Sequence, residues 1–267
     1  MCKRLQGRAW RGLFSVWALL LLALGNGARA ALPDEIQVYV DDLNEPGRLS
    51  VQLHVNATPS GVSTPDYPGE SVAAHGWRMT PEFAYGLTPT LEAGAYLPVV
   101  HEDGVLRAAG VKLRLKWVPV RPPEDGAGFF AGLNGELSQV QQRFEEDTRG
   151  LELRPIFGWR NERWLLATNP VLEIALSGPD RNHAPGFSPS FKVARTVAQG
   201  VQAGLEYYAD AGTVADPLLS APEHQTLYWA IDIDRKPWVI NFGIGRGFNS
   251  DTDRWTVKLI VDIPLGR

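Results

Sequence analysis

Apolar and polar residues alternate with a period of two along most of this chain, most cleanly in residues 77–99, WRMTPEFAYGLTPTLEAGAYLPV. Trp77, Met79, Phe83, Tyr85 and Leu87 fall on one parity, and Arg78, Thr80, Glu82, Ala84 and Gly86 on the other. That is the pattern of a strand with one apolar face. After a break at Thr88, Pro89 and Thr90 the apolar parity resumes at Leu91, Ala93, Ala95, Leu97 and Val99, with Glu92 and Gly94 opposite. Two such runs joined by about three turn residues predict an antiparallel hairpin.

The unit recurs to the carboxyl end. Residues 48–58 set Leu49, Val51, Leu53, Val55 and Ala57 against Arg48, Ser50, Gln52, His54, Asn56 and Thr58. Residues 105–118 set Val111, Leu113, Leu115 and Trp117 against Lys112, Arg114 and Lys116. Further runs span 128–138, 150–160, 164–176, 187–198, 201–211, 224–233, 238–247 and 254–264. With both arms of the hairpin these make about twelve strands, an even number as in bacterial single-chain barrels. The connections placed at the outer end are mostly long (59–75, 139–148, 177–186, 212–223, 248–253) and those at the inner end mostly short (88–90, 161–163, 199–200, 234–237), as in outer-membrane barrels. The short outer connection at 102–104 and the long inner one at 119–127 depart from that rule. Trp77, Trp117, Trp159, Trp164, Trp238 and Trp255 lie on the apolar parity near strand ends, which suits aromatic girdles at two membrane interfaces.

The predicted fold is therefore all-β, a single antiparallel transmembrane β-barrel of about 12 strands over residues 47–267. A soluble β-sandwich shows the same alternation in any one strand and is the alternative at the level of fold. Residues 31–46, ALPDEIQVYVDDLNEP, form an acidic, turn-rich lead segment expected at the periplasmic rim.

Residues 1–30 carry Lys3, Arg4, Arg8 and Arg11, an apolar run over 13–24, and Ala28-Arg29-Ala30. A basic start, a short apolar stretch and an A-x-A site predict a cleaved signal peptide and export. Its loss would remove Lys3, Arg4, Arg8, Arg11 and Arg29, taking the formal charge from −4 to about −9. Such acidity argues against nucleic acid as a partner. The single cysteine, Cys2, lies in the removed stretch, which excludes a disulfide scaffold and thiolate metal sites in the exported chain.

Several stretches resemble a known group. Residues 35–47 (EIQVYVDDLNEPG), 65–70 (PDYPGE), 81–88 (PEFAYGLT), 110–117 (GVKLRLKW), 153–171 (LRPIFGWRNERWLLATNPV), 204–208 (GLEYY) and 243–248 (GIGRGF) are similar to uncharacterised proteobacterial outer-membrane β-barrel proteins. The YGLT…LEAG hairpin is more distantly similar to the outer-membrane family named for the meta-cleavage pathway of phenol degradation. The first resemblance implies an outer-membrane barrel and carries over no catalytic or binding residue; the second implies uptake of aromatic compounds.

The polar parity carries the chemistry. Candidate lumen and solute-pathway residues are Arg48, His54, Arg78, Glu82, Glu92, Lys112, Arg114, Lys116, Glu136, Glu152, Arg154, Glu206 and Lys258, with Lys192, Glu173 and Asp232 on the same face. The two signs nearly balance, which predicts a narrow lumen laced by ion pairs rather than an ion-selective ring. The strip Lys112, Arg114, Lys116 reads as pairing across strands with Glu92 and Glu136, or as a site for an anionic solute or lipopolysaccharide phosphate. The five histidines of the mature chain form no metal-ligand spacing, and no Gly-x-Ser-x-Gly elbow occurs; the nearest approach to a hydrolase is His54 beside Glu82 or Glu92. The glycines of GIGRG at 243–247 are followed by a strand where a nucleotide-binding loop needs a helix, and they read as room for bulky neighbours. Asn249 to Asp253 lacks the Gly and the terminal Glu of a calcium loop. The last strand alternates Trp255, Val257, Leu259, Val261, Ile263 and Leu265, close to the pattern read by barrel-assembly machinery, but ends without an aromatic residue.

The expected function is passive passage or binding of small solutes, including apolar or aromatic ones, in the outer membrane without a cofactor. Lipid, lipopolysaccharide and the assembly machinery are the expected partners. A closed structural barrel and an outer-membrane lipid hydrolase are the alternatives.

Overall fold

A computed structural model describes residues 34–265 apart from 103, 124, 125 and 220. The expected signal peptide lies outside the described residues. Fourteen strand segments are described: β1 (Leu49–Ser60), β2 (Trp77–Thr88), β3 (Leu91–Tyr96), β4 (Val99–Glu102), β5 (Val105–Ala108), β6 (Gly110–Val120), β7 (Gly128–Val140), β8 (Arg149–Arg160), β9 (Trp164–Ala175), β10 (Gly186–Ala198), β11 (Val201–Asp210), β12 (His224–Arg235), β13 (Trp238–Gly247) and β14 (Trp255–Leu265).

Neighbours along the chain pair antiparallel, and β1 pairs with both β2 and β14, so the sheet closes on itself. β3 and β4 both lie along β2 and are one strand interrupted at Leu97 and Pro98. β5 and β6 lie along that same strand and are interrupted at Ala109. Tyr96 faces Lys112 but Val99 faces Ala108, so the β5–β6 side holds one extra residue, a bulge opposite the proline. Counted this way the barrel has 12 strands. A second bulge near Pro119 carries β6 on to Val120, past the end expected at Val118. The short outer connection near 102–104 is the tip of the β4–β5 hairpin, which prolongs the wall there.

Burial is inverted relative to a water-soluble protein. The buried set is rich in His54, Asn56, Thr80, Glu82, Asn134, Glu206 and Lys258, whereas Leu113, Leu115, Leu133, Phe157, Phe191, Leu205 and Trp229 are exposed around the outside. A continuous apolar belt of that extent needs an apolar solvent. Trp117, Trp164 and Trp238 project from the end with short turns and Trp255 from the end with long loops, as a girdle at each interface requires. The only helix among the described residues is a 3-10 turn at Pro179–Asn182.

The lead segment corrects its expected position. Residues 34–44 run inside the barrel rather than at its rim, because inward side chains of strands around the wall offer hydrogen bonds and charge partners to both its backbone and its carboxylates. It enters near Gly86 and Glu45 at the short-turn end and reaches Asn56 and Lys112 toward the long-loop end.

Candidate functional site

The lumen is built from the even parity of β1 to β3 and β6. With a period of two, Ser50, His54 and Asn56 of β1, Arg78, Thr80 and Glu82 of β2, Glu92 of β3 and Lys112, Arg114 and Lys116 of β6 all turn inward. Of the candidates named from the sequence, His54, Arg78, Glu82, Glu92, Lys112, Arg114, Lys116, Glu136, Arg154, Glu206 and Lys258 are buried, Glu152 is partly buried, and Arg48 stands apart. Arg48 precedes β1 and is exposed at the short-turn rim, where Glu45 lies 3.7 Å away. It belongs to the mouth and not to the interior.

Three tiers of contacts hold the lead segment. Toward the long loops, Lys112 Nζ donates to Asp34 Oδ1 at 2.8 Å, with Glu136 Oε1 at 3.5 Å, and Asn56 Nδ2 donates to the Asp34 carbonyl at 3.0 Å. At mid-depth Tyr39 is the anchor. Its N–H donates to Asn169 Oδ1 at 2.7 Å and its carbonyl accepts from Asn169 Nδ2 at 3.1 Å, so one side-chain amide stands in for a strand neighbour. The Tyr39 and Tyr96 hydroxyls share a hydrogen bond of 2.7 Å. Three cations approach the Tyr39 ring: Arg154 at 4.5 Å, Lys116 at 4.9 Å and Arg114 at 6.0 Å, within the range where a ring quadrupole attracts a cation. Toward the short turns, Lys116 pairs with Asp42 at 2.6 Å, Arg160 with Asp41 at 3.1 Å, and the Asn44 N–H donates to Glu92 Oε2 at 2.7 Å.

The wall pairs its own charges as well. Arg114 Nε donates to Glu82 Oε1 at 2.6 Å and Nη2 to Glu92 Oε1 at 2.7 Å, while His54 Nε2 lies 3.4 Å from Glu82 Oε2. Arg154 pairs with Glu152 at 2.7 Å and donates to the Gln37 carbonyl at 3.0 Å. Glu206 joins Lys258 and Lys192, and Lys258 also donates to the Ile36 carbonyl at 3.0 Å. Lys192 bridges to Asp232 at 2.9 Å. The basic strip is therefore paired and buried in the lumen: Arg114 takes its carboxylates across the sheet, and Lys112 and Lys116 take theirs largely from the lead segment. Arg78 is buried beside this network.

Below Tyr39 the lumen turns apolar. Val38, Tyr39, Val118, Phe130, Ile156, Leu165, Ala167 and Ala194 form one cluster, with Val40, Leu43 and Tyr208 against it. Small wall residues make space for the long side chains: Arg114 lies over Gly94, and Lys258 and Tyr228 lie over Gly243 and Gly245, as expected for the GIGRG run. Among the described residues no group of three or more His, Cys, Asp or Glu is arranged to hold a metal ion.

No family model matches the chain, and no curated protein matches it in sequence. Solved structures do match in shape. An outer-membrane channel from Pseudomonas putida F1 superposes with a TM-score of 0.57 at 10% identity, covering 86% of this chain and 100% of that one. The KdgM porin superposes with a TM-score of 0.50 at 9% identity, covering 80% of this chain and 98% of that one. The fold is that of an outer-membrane barrel.

Parity alone could not place Asp34, Tyr39, Asp41, Asp42 and Asn169 in the site, because four of these five lie in the lead segment. A signal was present all the same: DDLNEP at 41–46 puts carboxylates just ahead of a wall whose β6 presents three cations in succession.

Proposed function

We propose that this chain is a channel of the bacterial outer membrane that passes small solutes passively, with residues 34–44 as a removable stopper in its lumen. The observation that carries this reading is that the wall is complete without the segment. β1 closes against β2 and β14, while the segment runs along the lumen and is held by side-chain pairs and not by a sheet ladder of its own. A periplasmic position for the end where the segment and β14 terminate is supported by its short turns. Passage of solutes with apolar or aromatic parts is supported by the lumen beneath Tyr39, where displacement of Val38 and Tyr39 would uncover Val118, Phe130 and Ile156.

A closed surface barrel is the second reading, favoured by the same apolar cluster, which seals the lumen around Val38 and Tyr39. Conductance in planar bilayers tests both. The exported chain should open in discrete steps, and a variant lacking residues 34–44 should remain open with a larger step. Absence of conductance in both would leave the closed barrel.

A further inference from the structure

At the long-loop end lies a cavity of about 660 Å³. Its wall combines inward residues of β6 to β9 with the loops 61–76, 141–148, 176–185 and 211–223. Eleven of the twenty-six described lining residues are Asp or Glu; one is Lys, and His183 sits 2.9 Å from Asp180. The single lysine, Lys112, is shared between Asp34 at 2.8 Å and Glu136 Oε1 at 3.5 Å. Glu136, next to it, is 4% exposed, and its Oε2 accepts no hydrogen bond among the described residues. A buried carboxylate oxygen without a donor costs free energy that an incoming donor recovers.

Among the described residues no three carboxylates converge to the spacing of a metal cage, which favours a hydrogen-bond donor on an organic cation. The volume suits a small organic molecule. Phe144 and Leu218, carried on the loops, line the same cavity and offer contact to methylene groups. We propose that this vestibule binds an extended organic cation carrying two or more ammonium groups on an aliphatic chain. One ammonium donates to Glu136 and the others meet the acidic loops. This rests on the reading of the long-loop end as the outward mouth of the channel and names the class of solute collected there.

Calorimetric titration of the folded, detergent-solubilised chain with spermidine tests it, with butylamine and magnesium as separate titrants. Saturable spermidine binding is expected, weaker for butylamine, and weakened about tenfold by Glu136→Gln. The paired change Asp216→Asn and Glu223→Gln lies on a loop outside the barrel wall, and should weaken binding in a salt-dependent way even if the Glu136 variant fails to fold. Absence of saturable binding, equal affinity for butylamine, tighter binding of magnesium, or affinity unchanged in the loop variant would each overturn the proposal. Conductance without spermidine binding would sink this inference and leave the channel standing. Spermidine binding in a barrel that never conducts would do the reverse.

Discussion

Lys112 on the barrel wall and Asp34 in the lead segment meet at 2.8 Å although they are 78 residues apart in the chain. Both are buried. Removing one member of a buried pair leaves a charge with too few partners, at a cost of about 3–5 kcal/mol, here reduced because Glu136 Oε1 stands 3.5 Å from the same ammonium. Asp34→Ala should therefore loosen the upper end of the stopper and raise the open fraction in single-channel recordings. Asp34→Leu with Lys112→Met and Glu136→Gln removes all three charges and should return the recordings toward the parent. An unchanged open fraction in Asp34→Ala would show that this pair does not seat the segment.

Tyr39 holds the middle of the segment through its ring, its hydroxyl and both its backbone groups. Truncation to alanine removes the aromatic body from the apolar cluster and strands the Tyr96 hydroxyl, a change of about 3–5 kcal/mol for a large buried side chain. Tyr39→Ala should admit larger solutes in liposome-swelling assays, and Tyr39→Phe, which loses only the hydroxyl contact, should have a small effect. Equal swelling rates for the two variants and the parent would place the permeability barrier elsewhere.

The alternation made the wall legible residue by residue. His54 and Leu53 differ by one position, and the first is fully buried in the lumen while the second faces outward, as parity requires. Pro98 and Ala109 were not legible, since a proline and a bulge each break the ladder while the strand continues beyond them. The lead segment escaped for a different reason. Its residues satisfy their hydrogen bonds one by one, with side chains as distant as Asn169 and Lys258, so no local period records the arrangement. The lumen charges could be assigned to a face, but their partners depend on how the segment lies across them.

Gly245 gives way to Tyr228. A Cβ there would meet the Tyr228 ring at 2.5 Å and the Thr256 hydroxyl at 2.6 Å, and those two side chains share a hydrogen bond of 2.6 Å. Gly245→Val should cost about 1–3 kcal/mol through overpacking and lower the temperature at which the barrel loses its compact electrophoretic form. Gly135→Val is the control, because a Cβ there meets nothing nearer than Leu153 at 3.8 Å. Matching temperatures for the two variants would mean that Tyr228 swings aside at no cost.

Asp253 ties the last long loop to the first, accepting from the Val62 N–H at 3.0 Å and the Thr58 hydroxyl at 3.4 Å. Burial raises its carboxyl above the ordinary value of 3.8, outweighing the Val62 N–H and the positive field of Arg78, which lower it. The folded barrel therefore holds this proton more tightly than the unfolded chain. The associated stability is full below about pH 4 and is lost as pH rises through the raised value. Asp253→Asn keeps an acceptor and cannot ionise. Its heat-modification temperature at neutral pH should equal or exceed the parent's, with the two converging near about pH 3.5. A lower temperature for the variant at neutral pH would show that attraction to Arg78 outweighs burial.

Leu115 separates a membrane barrel from a soluble one. It sits at the middle of β6 with its side chain half exposed on the outer face, one residue from the buried Lys116. On a water-facing surface Leu115→Arg would change stability by no more than about 0.5 kcal/mol. At mid-depth in lipid the same change costs about 2–4 kcal/mol, falling to about 0–1 near the interface. Leu115→Arg should therefore reduce the assembled, heat-modifiable fraction in lipid vesicles, while Thr88→Arg, exposed at the short-turn end of β2, should assemble like the parent. Equal assembly of both would remove the lipid from the outer face and, with it, the membrane setting on which the channel reading depends.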